Sequence, residues 1–366
     1  MNNLDYDSNV SAPSSWLNYI QRYLNVESRY LIDDNGVHGI TSNPTIFEKA
    51  IIESHNYDSD IRAMSLKGLD PKEIYDSLSR RDVRIAADKE RMTYDKSNGK
   101  EGYVCLEVNP HLAHDGKGTI EEARRLWDSI DRPNILIKIP ATKEGLLAIK
   151  QLTSEGINLD ITWLFGLDRY RQVAEAYIEG IKDRLDQGGD VKYVVSVASF
   201  FVSHIDWIVD DLLQKIVALG GNKRDLARQL LGQASVASAK IGYQIYKEIF
   251  TGPCFKKLIE RGARTQGIAW TSTSSKHPDN SDHKFIEALI GPGPENTVPV
   301  DTLNIFHEHG VSKARLENNV EDAVKTLERL KELDINIDAI TQQLEDEGVE
   351  KFKRLFDLLM QALGKT

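Results

Sequence analysis

Ile135-Leu136-Ile137-Lys138-Ile139-Pro140 is the stretch on which the reading of this chain turns. Strand side chains point alternately to two faces. One face here carries Ile135, Ile137 and Ile139; the other carries Leu136, Lys138 and Pro140. An all-isoleucine face belongs against helices. The other then points into a closed sheet, with the lysine near the strand's C-terminal end, where active sites of (β/α)8 barrels gather. A buried amine is costly to charge, so desolvation lowers its pKa, and a neutral lysine attacks carbonyl carbons. The competing reading is a lysine paired with a core carboxylate.

Working outward, further β-like runs lie at 16–20, 37–43, 103–108, 157–165, 193–201, 267–274 and 296–300. Helix-period segments at 120–130, 144–155, 168–187, 205–219 and 285–290 fall between them. Eight strands separated by crossovers predict an α/β fold, a single (β/α)8 TIM barrel. An open doubly wound sheet is the rival, weakened because no G-x-G-x-x-G fingerprint follows a strand. Residues 315–366 carry no strand signal and read as two helices, 317–330 and 338–363, which cover one end of the barrel or serve a partner. With no repeat or linker to divide it, residues 1–366 are expected to form one domain including this helical extension.

The same parity argument places other polar residues near strand ends. Thr41 shares a face with Asn43, Cys105 with Glu107, Asp160 with Thr162, Ser199 with Phe201, and Trp270 with Ser272 and Ser274. Buried polar groups cost stability unless paired, so this many exceed what folding needs. Lysine, carboxylates and hydroxyls without a His/Cys metal set point to carbonyl chemistry through an imine. Ser272, Ser274, Ser275 and Lys276 cluster after the seventh run, where barrels often hold phosphate; the alternative there is a solvated loop. Cys105, in an apolar run, reads as a small core residue.

Of 366 residues, 40% are hydrophobic and 28% charged, so the chain can bury a large core beneath a soluble surface. The net charge of -10 without a basic face argues against nucleic acid. Apolar runs fall short of the roughly 20 residues that span a membrane, and residues 1–15 lack the basic and apolar regions of a signal peptide. Two distant cysteines argue against a disulfide scaffold, and a reducing cytoplasm is expected.

These residues together resemble the transaldolase family, in its longer bacterial branch with a C-terminal helical extension. The resemblance rests on Gly39-Ile40-Thr41-Ser42-Asn43-Pro44-Thr45-Ile46-Phe47, Leu106-Glu107-Val108-Asn109-Pro110-His111-Leu112-Ala113-His114-Asp115 and Ile135–Thr142. Gly156-Ile157-Asn158, Thr162-Trp163-Leu164-Phe165, the run 196–203 and Trp270-Thr271-Ser272-Thr273 follow in order. It implies a class I aldolase barrel without a cofactor. It also implies transfer of a dihydroxyacetone unit between sugar phosphates in the pentose phosphate pathway, in a monomer or homodimer with no nucleic-acid or membrane partner. By this resemblance Lys138 is the Schiff-base lysine, and Glu107 and Thr162 shuttle protons with a water. Asn43 and Thr41 belong to the donor site, Ser199 and Phe201 line the pocket, and Ser272 and Lys276 hold phosphate. Phe201, where related aldolases carry a tyrosine, implies an enamine that waits for an acceptor aldehyde.

Three positions depart from the family pattern. Asn18 stands where the family has the aspartate that breaks the carbon–carbon bond, and Asp160 where it has asparagine. An amide is no general base near neutral pH, so Asp160 is expected to supply the missing carboxylate. His204 stands where the family has an arginine on phosphate, and histidine cannot make the arginine fork. Three readings follow: a transaldolase, a family member acting on another sugar, or a silent paralogue that binds a sugar phosphate or a partner.

Overall fold

Short runs form eight parallel strands: β1 (Ser15–Asn18), β2 (Val37–Thr41), β3 (Tyr103–Glu107), β4 (Ile135–Pro140), β5 (Leu159–Leu164), β6 (Ser196–Phe201), β7 (Gly267–Thr271) and β8 (Glu295–Val298). Each pairs with the next, and β8 pairs with β1, closing the barrel. The expected (β/α)8 barrel is therefore present and the open sheet is not. The structure is a computed structural model that describes residues 15–18, 37–42, 47, 50, 51, 54–273, 284–298 and 300–365; at 15–18, 37, 38, 298, 300, 301, 303, 304 and 307 only the backbone is described.

Ahead of β3 come α1 (Asp58–Ser65) and α2 (Pro71–Lys96). The crossovers up to β6 are α3 (Gly116–Ile130), α4 (Gly145–Glu155) and α5 (Leu167–Asp186). Between β6 and β7 lie α6 (Ser203–Leu219), α7 (Arg224–Leu230), α8 (Ala234–Phe250) and α9 (Pro253–Ile259). Then follow α10 (Lys284–Ala288), α11 (Val300–His309), α12 (Val320–Glu332) and α13 (Ile337–Leu363). α1, α2, α7, α8, α9 and α11 go beyond the segments read from sequence.

The two faces of β4 go where alternation sends them. Ile135, Ile137 and Ile139 are fully buried in the outer core with Leu126, Ile130 and Leu152 of the flanking helices, each worth about 1.5–3 kcal/mol. Leu136 points inward and joins Tyr103, Cys105, Val197 and Ala269 in a separate apolar cluster that floors the barrel. Cys105 is the core residue expected. The seventh strand corrects the sequence reading. β7 ends at Thr271, and Ser272 adopts a left-handed φ of 55° that breaks the alternation. Trp270 consequently shares no face with Ser272. It is buried in the outer core, with its ring 5.9 Å from that of Phe200.

The tail covers the C-terminal end of the barrel. α13 starts at Asn336, whose side chain accepts from the backbone N–H groups of Asp338 and Ala339, a standard N-cap. Ile337, Ile340 and Leu344 pack with Phe165 and Ile205, while Phe356 meets Tyr75 of α2 edge-on at 5.4 Å. His111, in the turn after β3, bonds Asp357 at 2.7 Å. The helix thus crosses from β5 to β3. Among the described residues no helix is long and apolar enough to cross a membrane.

Candidate active site

Glu107, Lys138 and Asp160 are successive register partners on β3, β4 and β5, so three ionisable side chains stand in one row. The Lys138 ammonium lies 3.0 Å from Asp160 Oδ2 and donates to Thr41 Oγ1 at 2.8 Å. Ser199 Oγ donates to Asp160 Oδ1 at 2.6 Å. All five side chains are buried. Two residues down the same strands lies the floor, with Cys105 beneath Glu107, Leu136 beneath Lys138 and Val197 beneath Ser199.

Their electrostatics correct one expectation. Burial pulls the Lys138 pKa down, as expected of an isolated amine, but Asp160, and then Cys105 and Glu107, push it up further, and the net shift is upward. The resting lysine is therefore an ammonium ion in a pair with Asp160. Glu107 moves the other way from an ordinary carboxyl group. Burial raises its pKa most, Lys138 lowers it and Asp160 raises it, leaving it at about 8. At pH 7 Glu107 is a neutral acid. Burial, then Asp160, hold the Cys105 thiol well above its ordinary value, so it stays protonated.

The remaining predicted residues divide. Thr162 is buried on β5 opposite Pro140 of β4. Phe201, at the end of β6, stacks on Trp163 with ring centroids 5.1 Å apart. His204, in the first turn of α6, sits among aromatic rings: Phe165 at 5.9 Å, Phe201 at 5.8 Å and Trp207 at 4.2 Å. Ser272 follows β7, and its carbonyl accepts from the backbone N–H of Ser203. The backbone of Asn18 pairs with Thr41, putting β1 next to the lysine's hydroxyl partner. Asn43, Ser274, Ser275 and Lys276 lie outside the described residues.

An amine between a carboxylate and a hydroxyl, with a neutral carboxylic acid alongside, has what attack on a carbonyl requires: a nucleophile, an acceptor for its proton and a donor for the developing alkoxide. Among the described residues no group of three or more His, Cys, Asp or Glu side chains is placed to hold a metal ion. Trp163, which stacks on Phe201, was not singled out from sequence. It stands next to Thr162 in a recognised motif, but its left-handed φ of 57° and its stacking on Phe201 leave no mark in residue pattern.

A family model described as Transaldolase/Fructose-6-phosphate aldolase matches residues 18–363. The chain is 41% identical to Transaldolase 2 of Nostoc sp. (strain PCC 7120 / SAG 25.82 / UTEX 2576), over 96% of this chain and 95% of that protein. It is 42% identical to the transaldolase of Acidothermus cellulolyticus, over 92% of this chain and 89% of that one. With the transaldolase of Thiobacillus denitrificans it shares 38% identity, over 99% of this chain and the full length of the other. On the barrel, the strand-end residues and these matches together, the chain belongs to the transaldolase/fructose-6-phosphate aldolase family.

Proposed function

We propose that this protein is a transaldolase. It moves a dihydroxyacetone unit from a ketose phosphate, sedoheptulose 7-phosphate or fructose 6-phosphate, to an aldose phosphate, glyceraldehyde 3-phosphate or erythrose 4-phosphate, through a Schiff base at Lys138. The observation that carries the reading is the Lys138 amine held between Thr41 and Asp160 at the C-terminal end of β4.

In this mechanism Asp160 takes one proton from the Lys138 ammonium, and the freed amine attacks the ketose carbonyl. Glu107, neutral at pH 7, protonates the carbonyl oxygen and regains a proton from the attacking nitrogen, with Thr162 and a water carrying it. Asp160 returns its proton to the departing hydroxyl, water leaves, and an iminium remains. Asp160, a carboxylate again, removes the proton of the hydroxyl carried by the far carbon of the bond to be broken. That bond cleaves, the aldehyde leaves, and an enamine stays on Lys138. Asn18 cannot perform that last proton abstraction, which is why the step falls to Asp160. Phe201 brings no hydroxyl to help water protonate the enamine, which favours capture by an acceptor aldehyde. Ser272 and Lys276 are the proposed phosphate contacts and Asn43 a donor contact.

The experiment is borohydride reduction in the presence of fructose 6-phosphate, with peptide mapping. A stable adduct on Lys138 is expected; no adduct with any ketose phosphate overturns the reading and leaves a binding protein. His204 among aromatic rings favours a second reading, a sugar whose tail depends less on phosphate. It predicts that unphosphorylated fructose loses less kcat/KM relative to fructose 6-phosphate than a phosphate-clamped site allows, and that His204→Arg restores the preference.

A further inference from the structure

Near its end β5 carries one residue more than β6 has places for. Ile161 stands opposite Ala198 and Leu164 opposite Phe200, so Thr162 and Trp163 together face the single residue Ser199. Such a bulge re-aims a side chain. Plain alternation would send Trp163 outward with Ile161. Instead Ile161 and Leu164 take the outer-core places, and Trp163, at a φ of 57°, packs with Phe165 and Phe201. A bulky residue enters that left-handed region only where its surroundings hold it there.

Two contacts and a space hold the indole. It stacks on Phe201 of β6 at 5.1 Å with 13° between planes, and it meets Phe352 of α13 edge-on at 5.0 Å. The space is at Gly348 of α13, where a Cβ would lie 2.4 Å from Cε3 and 2.5 Å from Cζ3 of the indole. A Cβ has no rotamer by which to escape, so any other residue there must displace the ring or the helix. Phe201, in turn, lies two residues beyond Ser199 on the lumen face of β6, and Ser199 bonds Asp160, the partner of Lys138. The ring pair thus stands one step of the alternation above the polar row. Both rings are half-buried, as a wall between that row and solvent must be.

We propose that α13 is a working part of the site: through Gly348 and Phe352 it sets Trp163 against Phe201, and this ring pair keeps water from the enamine on Lys138. Trp163 and Gly348 are positioning residues, acting through Phe201. The proposal rests on the reading of Lys138 as the imine-forming lysine. A closed site protects a reactive intermediate from water. Where water enters, it protonates the outer carbon of the enamine and restores the iminium. A second water, or the hydroxide just formed, adds to the iminium carbon, the carbon–nitrogen bond breaks, and dihydroxyacetone leaves with that oxygen as its carbonyl. In the balance one water is consumed and the lysine amine is freed, with no transfer to an acceptor.

The test supplies fructose 6-phosphate with erythrose 4-phosphate and measures free dihydroxyacetone against sedoheptulose 7-phosphate. Both come from one enamine, so their ratio does not depend on how much of a variant is folded. Trp163→Leu removes the stack, and the ratio of release to transfer should rise about two- to tenfold, the worth of an aromatic pair. Gly348→Ala should raise it in the same direction. In a Trp163→Phe background, whose smaller ring leaves room for a Cβ, Gly348→Ala should add nothing. A purely structural role for α13 would lower the melting temperature and leave the ratio where it is. An unmoved ratio in Trp163→Leu overturns the proposal, and equal rises from Gly348→Ala in both backgrounds take α13 out of it. Absence of a borohydride adduct on Lys138 sinks the imine reading instead, an outcome read separately from the ratio.

Discussion

The floor of the barrel and the polar row above it are built by the same strands on the same face, two residues apart. Cys105, Leu136 and Val197 give way to Glu107, Lys138 and Ser199. One step of the alternation, about 6.6 Å, separates a layer that stabilises the fold from one that costs stability. Ions removed from water lose several kcal/mol each, and only good mutual geometry offsets the loss. The comparison teaches that the barrel keeps the two tasks in adjacent layers. The floor supplies a dry, packed base, and its dryness is what makes the charges above it responsive to one another.

The largest effect expected is from Lys138→Met. It should abolish the borohydride adduct, and urea unfolding should show about 3–5 kcal/mol lost, because Asp160 is left buried without its cation. An adduct that persists on another lysine breaks the comparison by moving the chemistry out of the row. Asp160→Asn should lower turnover about 10²–10⁴-fold while an adduct on Lys138 can still be trapped; full activity would remove Asp160 from bond cleavage. On the floor, Leu136→Ala should cost about 2–5 kcal/mol with adduct yield unchanged under conditions where the variant stays folded. Loss of the adduct there would mean that the layers are not separable.

The smallest step, taken one pH unit at a time, concerns pH. Glu107 holds its proton in the folded state up to about 8, whereas the unfolded chain releases it near the ordinary carboxyl value. Over that window the unfolded state binds fewer protons, so stability falls as pH rises, the reverse of a salt-bridged carboxylate. Measured against Glu107→Gln by denaturant titration, wild type should lose about 1.4 kcal/mol per pH unit within the window and level off above it. A flat difference would place Glu107 in contact with water.

Much of this was legible beforehand, for identifiable reasons. The alternation in β4 fixes which side of the barrel Lys138 faces, and the strand-end residues of β3, β5 and β6 follow by the same rule. The charge state of Lys138 was not legible, because it depends on the register that sets Asp160 beside it. β7 was read too long since nothing in its residues announces the left-handed turn at Ser272. The start of α2 was legible and passed over: Asp70, Pro71 and Glu73 form a capping box with proline in the first turn. The body of that helix is so heavily charged that its apolar period is faint. Trp163 lay beyond reach because its conformation is decided by Phe201 and by α13.

The alternation in β4 has a further consequence, for the kinds of sequence change the strand can tolerate. Conservative exchanges among Ile135, Ile137 and Ile139 alter volume at one place in the outer core. Loss of a single codon ahead of Lys138 is different in kind. With the strand's other end held, every side chain between exchanges faces: isoleucines enter the lumen and leucine turns out among the helices. A change in composition disturbs one place in the outer core, whereas a change in length turns the strand inside out.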